Sequence, residues 1–170
     1  MDELPYLRLP DPPERVRGAT VMARLVDGLA FRYRWATEGL RADDADFRPS
    51  PQTMTVKELL AHIARLISWV DGHLGGQASP SFADDLEGLR RQTLNHLSKV
   101  RARLVEMDDT ALAQHRIVGS KGDSHPFWNM LNGPLADALT HVGQVNAWRR
   151  LAGNPSPRAD VFRGKPPAGT

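Results

Sequence analysis

The chain has 170 residues, 41% hydrophobic and 25% charged, with a net charge of +2, which reads as one soluble globular domain with a core of its own. Having no cysteine, it has no disulfide, thiolate metal site or cysteine nucleophile. No apolar run is long enough to span a bilayer. The basic residues are scattered or paired beside acids, not gathered into the stripe that nucleic acid requires.

Residues 1–17, MDELPYLRLPDPPERVR, hold four prolines and little periodicity. They read as an extended arm without a positively charged start or an apolar leader, and a cytoplasmic location is expected. The bundle is expected over residues 18–153. From Gly18 to Gly39, the residues Met22, Leu25, Val26, Leu29 and Tyr33 recur at helical spacing. RADDADFRPSPQTM is a loop. Thr55 and Glu58 then have the form of a capping box. The helix after them turns Val56, Leu59, Leu60, Ile63, Leu66, Ile67 and Val70 inward, and Gly75, Gly76 and Pro80 end it. Ser81 is the expected N-cap of a third helix, whose stripe of Phe82, Leu86, Leu89, Leu97, Val100 and Leu104 runs to Glu106.

Residues 108–126 break the pattern. Ile117-Val118 followed by Gly119-Ser120-Lys121-Gly122-Asp123 predicts a short irregular or hairpin excursion. The last helix spans Phe127 to Ala152, kinked or restarted at Gly133-Pro134. Residues 154–170 form an extended tail. The fold class is all-α, and an antiparallel four-helix bundle is the simplest packing.

Chemistry concentrates on three residues. Asp137 and His141 are four apart, so both point from one helical face. His62 lies on the apolar stripe of another helix, and a buried imidazole needs partners for both nitrogens. If the two helices face each other, the three residues form a two-histidine, one-carboxylate set inside the bundle. Such donors suit Zn²⁺, Ni²⁺, Fe²⁺ or Mn²⁺, and three protein ligands leave a position for water or substrate. The plain alternative is an Asp137–His141 bond within one helix and a satisfied core histidine at 62.

Gln144 could brace His141 or be a polar flank. Trp148, two turns beyond His141, could line the same cavity. Trp35, Trp69 and Trp128 read as core or groove aromatics. His73 should meet the end of its helix, His96 should face solvent or a flank, and His115 and His125 flank the excursion. No serine sits in a recognisable nucleophile elbow.

These residues resemble a known family. DALTHVGQVNAWRRLAGNP resembles the C-terminal helix of the DinB/YfiT-like superfamily, with its H-x-G-Q element, arginine-containing helix end and glycine. LLAHIARL resembles that family's second-helix histidine motif. GLAFRYRWATEGL, FRPS and PFWNMLNGPLADAL resemble an uncharacterised bacterial subgroup. The resemblance implies a four-helix bundle, often a homodimer, with a divalent metal held by three histidines. His62 and His141 match the first and last of these. The middle position, four before the last, is Asp137, so the three-histidine pattern is broken while a metal-ligating group is kept.

The resemblance further implies a metal-dependent thiol S-transferase or hydrolase, acting on a small molecule or with a low-molecular-weight thiol. A non-catalytic, stress-related ligand-binding bundle is the alternative.

Overall fold

The computed structural model describes residues 3–119 and 121–169. Its three long periodic segments are helices α1 (Gly18–Ala36), α2 (Val56–His73) and α3 (Leu86–Glu106). A short helix α4 (Asp109–Gln114) follows, then an antiparallel hairpin of β1 (Arg116–Val118) and β2 (Ser124–Pro126). A single turn, α5 (Trp128–Met130), leads to the last long helix, α6 (Ala136–Leu151). The expected excursion is therefore a hairpin, although Ser120 in its turn lies outside the described residues.

Local chemistry explains most boundaries. Thr55 Oγ1 accepts from the Glu58 N–H at 3.1 Å, and Glu58 Oε2 accepts from the Thr55 N–H at 2.7 Å. This is the reciprocal box that satisfies two orphan donors. Gly39 and Gly153 follow α1 and α6 with φ of +68° and +73°, a conformation that costs glycine nothing. Ser81 is not the cap of α3. Asp85 is, its carboxylate accepting from the Gly88 N–H at 2.7 Å, because residues 74–85 run on as an extended linker. Asp108 caps α4 in the same way at 2.7 Å, and that helix was not foreseen.

Helix α3 packs against both α1 and α2, and α6 closes the opposite side against the same two helices. Direction follows from the ion pairs. Lys57 meets Asp84 at one end and Arg103 meets Asp71 at the other, so α2 and α3 run parallel. Arg17 reaches the Val105 carbonyl while Arg90 reaches Thr37, so α1 and α3 are antiparallel. This up-down-down-up order replaces the simple antiparallel bundle. The 74–85 linker makes it feasible, since twelve extended residues reach roughly 40 Å and can return the chain along an eighteen-residue helix.

The core joins the inward residues of all four helices with Ile117, Phe127, Met130 and Leu135. Leu25 is the exception on α1, being 46% exposed. Tyr6, from the N-terminal arm, is buried in this core, and the Leu9 N–H donates to the Gly164 carbonyl. Arm and tail are thus tied together.

The last helix is broken as expected. Residues Leu131–Leu135 form one wide turn in which Gly133 has φ −95° and ψ −111°. Pro134 has no N–H to continue the ladder, and α6 restarts after it.

Arg149, buried near the end of α6, secures the far end of α1. Its guanidinium donates to the carbonyls of Ala36 (2.8 Å), Glu38 (2.6 Å) and Asn154 (2.8 Å). These include carbonyls that a helix end leaves unpaired.

Candidate metal centre

Helices α2 and α6 cross so that His62 meets Asp137 and His141. Nε2 of His62 lies 3.3 Å from Asp137 Oδ2, and Nε2 of His141 lies 3.2 Å from Asp137 Oδ1. The two imidazole rings meet edge to face, centroids 4.8 Å apart. One carboxylate thus bridges two ring nitrogens from different helices. On α6 the pairing follows from the four-residue spacing. The third member depends on α2 and α6 packing together.

The set lies at a groove, not inside the bundle. Side-chain exposure is 27% for His62, 15% for His141 and 46% for Asp137. The stripe on α2 turns away from His62, burying Leu59, Ile63 and Ile67 completely or nearly so.

A cleft of about 780 Å³ opens beside the set. Its walls include Arg65, Leu66 and Trp69 from α2, Asn132 to Pro134 from the broken turn, and Thr140 from α6. Trp69 takes the groove place expected of it, whereas Arg65 was missed as a site residue, although its place one turn beyond His62 puts it on that face. Trp148 does not line this cleft and is buried in the core.

Gln144 braces His141. Its Oε1 lies 2.6 Å from Nδ1. In the tautomer with the proton on Nδ1, that N–H donates to Gln144 Oε1 and Nε2 presents a lone pair toward Asp137; in the other, Nε2–H donates to the carboxylate. In the first, the lone pair and the carboxylate oxygen repel unless a cation or an extra proton lies between them. This is the arrangement in which an outer hydrogen bond fixes the tautomer of a metal-ligating histidine.

The spacing also fits. Two donors bound at about 2.1 Å to one tetrahedral ion stand about 3.4 Å apart, close to both Nε2–carboxylate separations. One ligand atom from each residue can be chosen so that all three lie within 4.8 Å of one another.

The remaining histidines lie elsewhere. His73 stacks on Trp69 at 3.8 Å, with Nδ1 on the Trp69 carbonyl in the last turn of α2. His125 pairs with Asp123 in the hairpin. His115 packs against Phe127, and burial pushes its imidazole below the usual value.

His96 is not a solvent-facing flank. It is buried, with Nδ1 2.7 Å from Asp71 Oδ2 and Nε2 2.7 Å from Ser79 Oγ. The order Ser79–His96–Asp71 has the connectivity of a catalytic triad. However, Arg103 also pairs with Asp71, and the Ser79 N–H is spent on Ser68 Oγ at 2.7 Å. No amide of Ser79 is free to hold an oxyanion. The chain of bonds fastens the returning 74–85 linker to α2 and α3.

Fold and site together define a helical bundle with a histidine–carboxylate cluster at the seam of its second and last long helices. No family model matches the sequence, and no curated protein matches it. The crystal structure of a DinB-like protein (YjoA) from Bacillus subtilis is similar, with a TM-score of 0.58 and 20% identity over 76% of this chain and 92% of that one. The likeness shows that this chain has the DinB-like fold, which bears out the resemblance at that level. No described helix is long and apolar enough to cross a membrane.

Proposed function

We propose that the chain is a DinB-like protein that binds a divalent metal through His62, Asp137 and His141, and that it acts on a small molecule held in the adjoining cleft. The observation that carries this reading is the convergence of both Nε2 atoms on one carboxylate while Gln144 holds the far nitrogen of His141. Zn²⁺, Ni²⁺, Fe²⁺ and Mn²⁺ all suit two nitrogens and one oxygen. Such an ion, when bound, supplies Lewis acidity to a substrate oxygen or thiol.

The chain's own residues do the rest. Gln144 orients His141, and Asp137 contributes negative charge to the donor set. Trp69, Leu66 and Pro134 offer apolar surface to the body of a ligand, and the guanidinium of Arg65 offers a positive charge beside it. A metal-dependent transferase using a low-molecular-weight thiol, or a hydrolase, fits this layout. The pairing of two copies is part of the same proposal, supported by the exposed Val118 and Trp128 on and beside the hairpin. Light scattering that finds a monomer at working concentration would remove that part.

The decisive experiment is metal content by mass spectrometry on untagged protein beside His62→Ala and Asp137→Ala. Near-stoichiometric metal in the parent and its loss in both variants is the expected result. No uptake after reconstitution with any of the four ions would reduce the cluster to a hydrogen-bonded trio. The cleft would then be tested as the binding site of a non-catalytic bundle.

A further inference from the structure

A second cleft, of about 850 Å³, lies between the ends of α1 and α6 and the residues that follow Gly153. Three arginines contribute to its lining: Arg32 from α1, Arg150 from α6 and Arg158 from the tail. Among the described residues none of the three is within ion-pair distance of a carboxylate. Arg34, Arg41, Arg90, Arg101 and Arg103 all are. Arg32 spends one N–H on the Gly28 carbonyl of its own helix. Three guanidiniums without a carboxylate partner are thus gathered around one cavity.

Trp35 also lines the cleft and is only 4% exposed, yet its indole Nε1–H has no acceptor. That nitrogen is itself shut off from solvent, so Trp35 serves the cleft as an aromatic wall whose N–H signal senses what binds there. Ser156 donates to Asn146 Oδ1 at 2.6 Å, which orients that amide and leaves its N–H groups unspent. The charged side chains that line the cleft are all cations, and the Asn146 amide adds donors. Such a site selects an acceptor-only anion, and guanidinium forks match phosphate oxygens two at a time. Three forks exceed what one carboxylate can use.

The cavity is larger than an inorganic phosphate needs and falls in the range of small-molecule sites. Pro155 and Val161 give it an apolar wall for the organic part of a ligand. The tail that forms this wall is fixed in place. Asn154 Nδ2 donates to Asp44 Oδ2 at 2.6 Å and to the Gly39 carbonyl at 3.0 Å, and Asp160 and Lys165 pair through their backbones.

We infer that this cleft is a binding site for a small organic phosphate, separate from the histidine–carboxylate cluster. Asn146 and Arg150 lie five and nine residues beyond His141 on the same helix, up to about 13 Å along its axis.

The test is a titration of ¹⁵N-labelled protein with phenyl phosphate at constant ionic strength, following the four indole N–H signals. Trp35→Phe assigns the relevant one. The expected result is a saturable shift of the Trp35 signal, absent with phenol, and weakened at least about tenfold by Arg150→Ala and by Arg158→Ala. Both arginines are exposed, so folding should survive, and circular dichroism checks that it does. His141→Ala should leave the titration unchanged, which separates this site from the metal proposal. A shift that never saturates, that phenol reproduces, or that both arginine variants retain would overturn the inference.

Discussion

Gln144 and His141 form a bonded pair on one exposed edge of α6, Oε1 to Nδ1 at 2.6 Å. In the tautomer with the proton on Nδ1, the contact leaves Nε2 available to the groove. Outer partners of this kind typically change metal affinity by about 10–100-fold when removed. Gln144→Ala is therefore expected to weaken Zn²⁺ or Ni²⁺ binding by that factor, read by competition with a chromogenic chelator, with helicity unchanged. Equal affinity in parent and variant would show that the pair is incidental.

Asp137 stands where the DinB/YfiT-like resemblance implies a histidine. Asp137→His should keep near-stoichiometric metal and shift preference toward Zn²⁺ and Ni²⁺ over Mn²⁺, because imidazole suits the former and carboxylate the latter. Competition between equimolar ions reads the shift. A variant that folds but takes up no metal would mean that α2 and α6 do not present three ligands to one ion.

Gly143 lies between these residues, and a Cβ built on it meets nothing within 4 Å. Glycine inside a helix costs about 1 kcal/mol relative to alanine. Gly143→Ala should raise stability by roughly that amount in urea unfolding and leave metal uptake intact. A loss of metal would assign the glycine a role in admitting a ligand.

Asp44 makes stability depend on acid. Burial alone would raise its pKa. The hydrogen bonds from the Arg41 guanidinium, the Arg41 N–H and the Asn154 amide outweigh it and hold the group down to about 2. A carboxylate depressed below its unfolded value stabilises the fold above that unfolded value, about 3.9, and the gain disappears as pH falls through the native one. Asp44→Asn should cost up to about 2 kcal/mol at pH 7. The two unfolding curves should converge as the pH is lowered toward 2. A difference that stayed constant with pH would mean that the charge is not what matters.

The helices were legible because each carries its own signal: an apolar stripe, a capping pair at Thr55 and Glu58, a proline at 134. His62, Asp137 and His141 were legible as a set because spacing put two of them on one face and the stripe of α2 located the third nearby. The depth of the site was not. A histidine beside an apolar stripe can sit in the core or at its margin, and only the angle at which α6 lies on α2 decides. Helix direction was equally hidden, since amphipathic stripes do not distinguish parallel from antiparallel neighbours. His96 was misjudged because its partners Asp71 and Ser79 are distant in sequence and meet it only when the 74–85 linker doubles back. The arginine cleft was invisible for the same reason, its lining coming from α1, α6 and the tail.

The break at Gly133-Pro134 also isolates one part of the molecule from another. In an unbroken helix each inserted residue rotates everything after it by about 100°. An insertion between Trp128 and Leu131 would then swing Asp137 and His141 off the face they share with His62. With the ladder interrupted, α6 takes its orientation from its own packing against α1 and α2, and the segment before it has no leverage on that azimuth. Outside the buried Ile117, Phe127 and Met130, the segment before the break is open to change while the three side chains keep their aim. The groove can acquire a new rim without losing its floor.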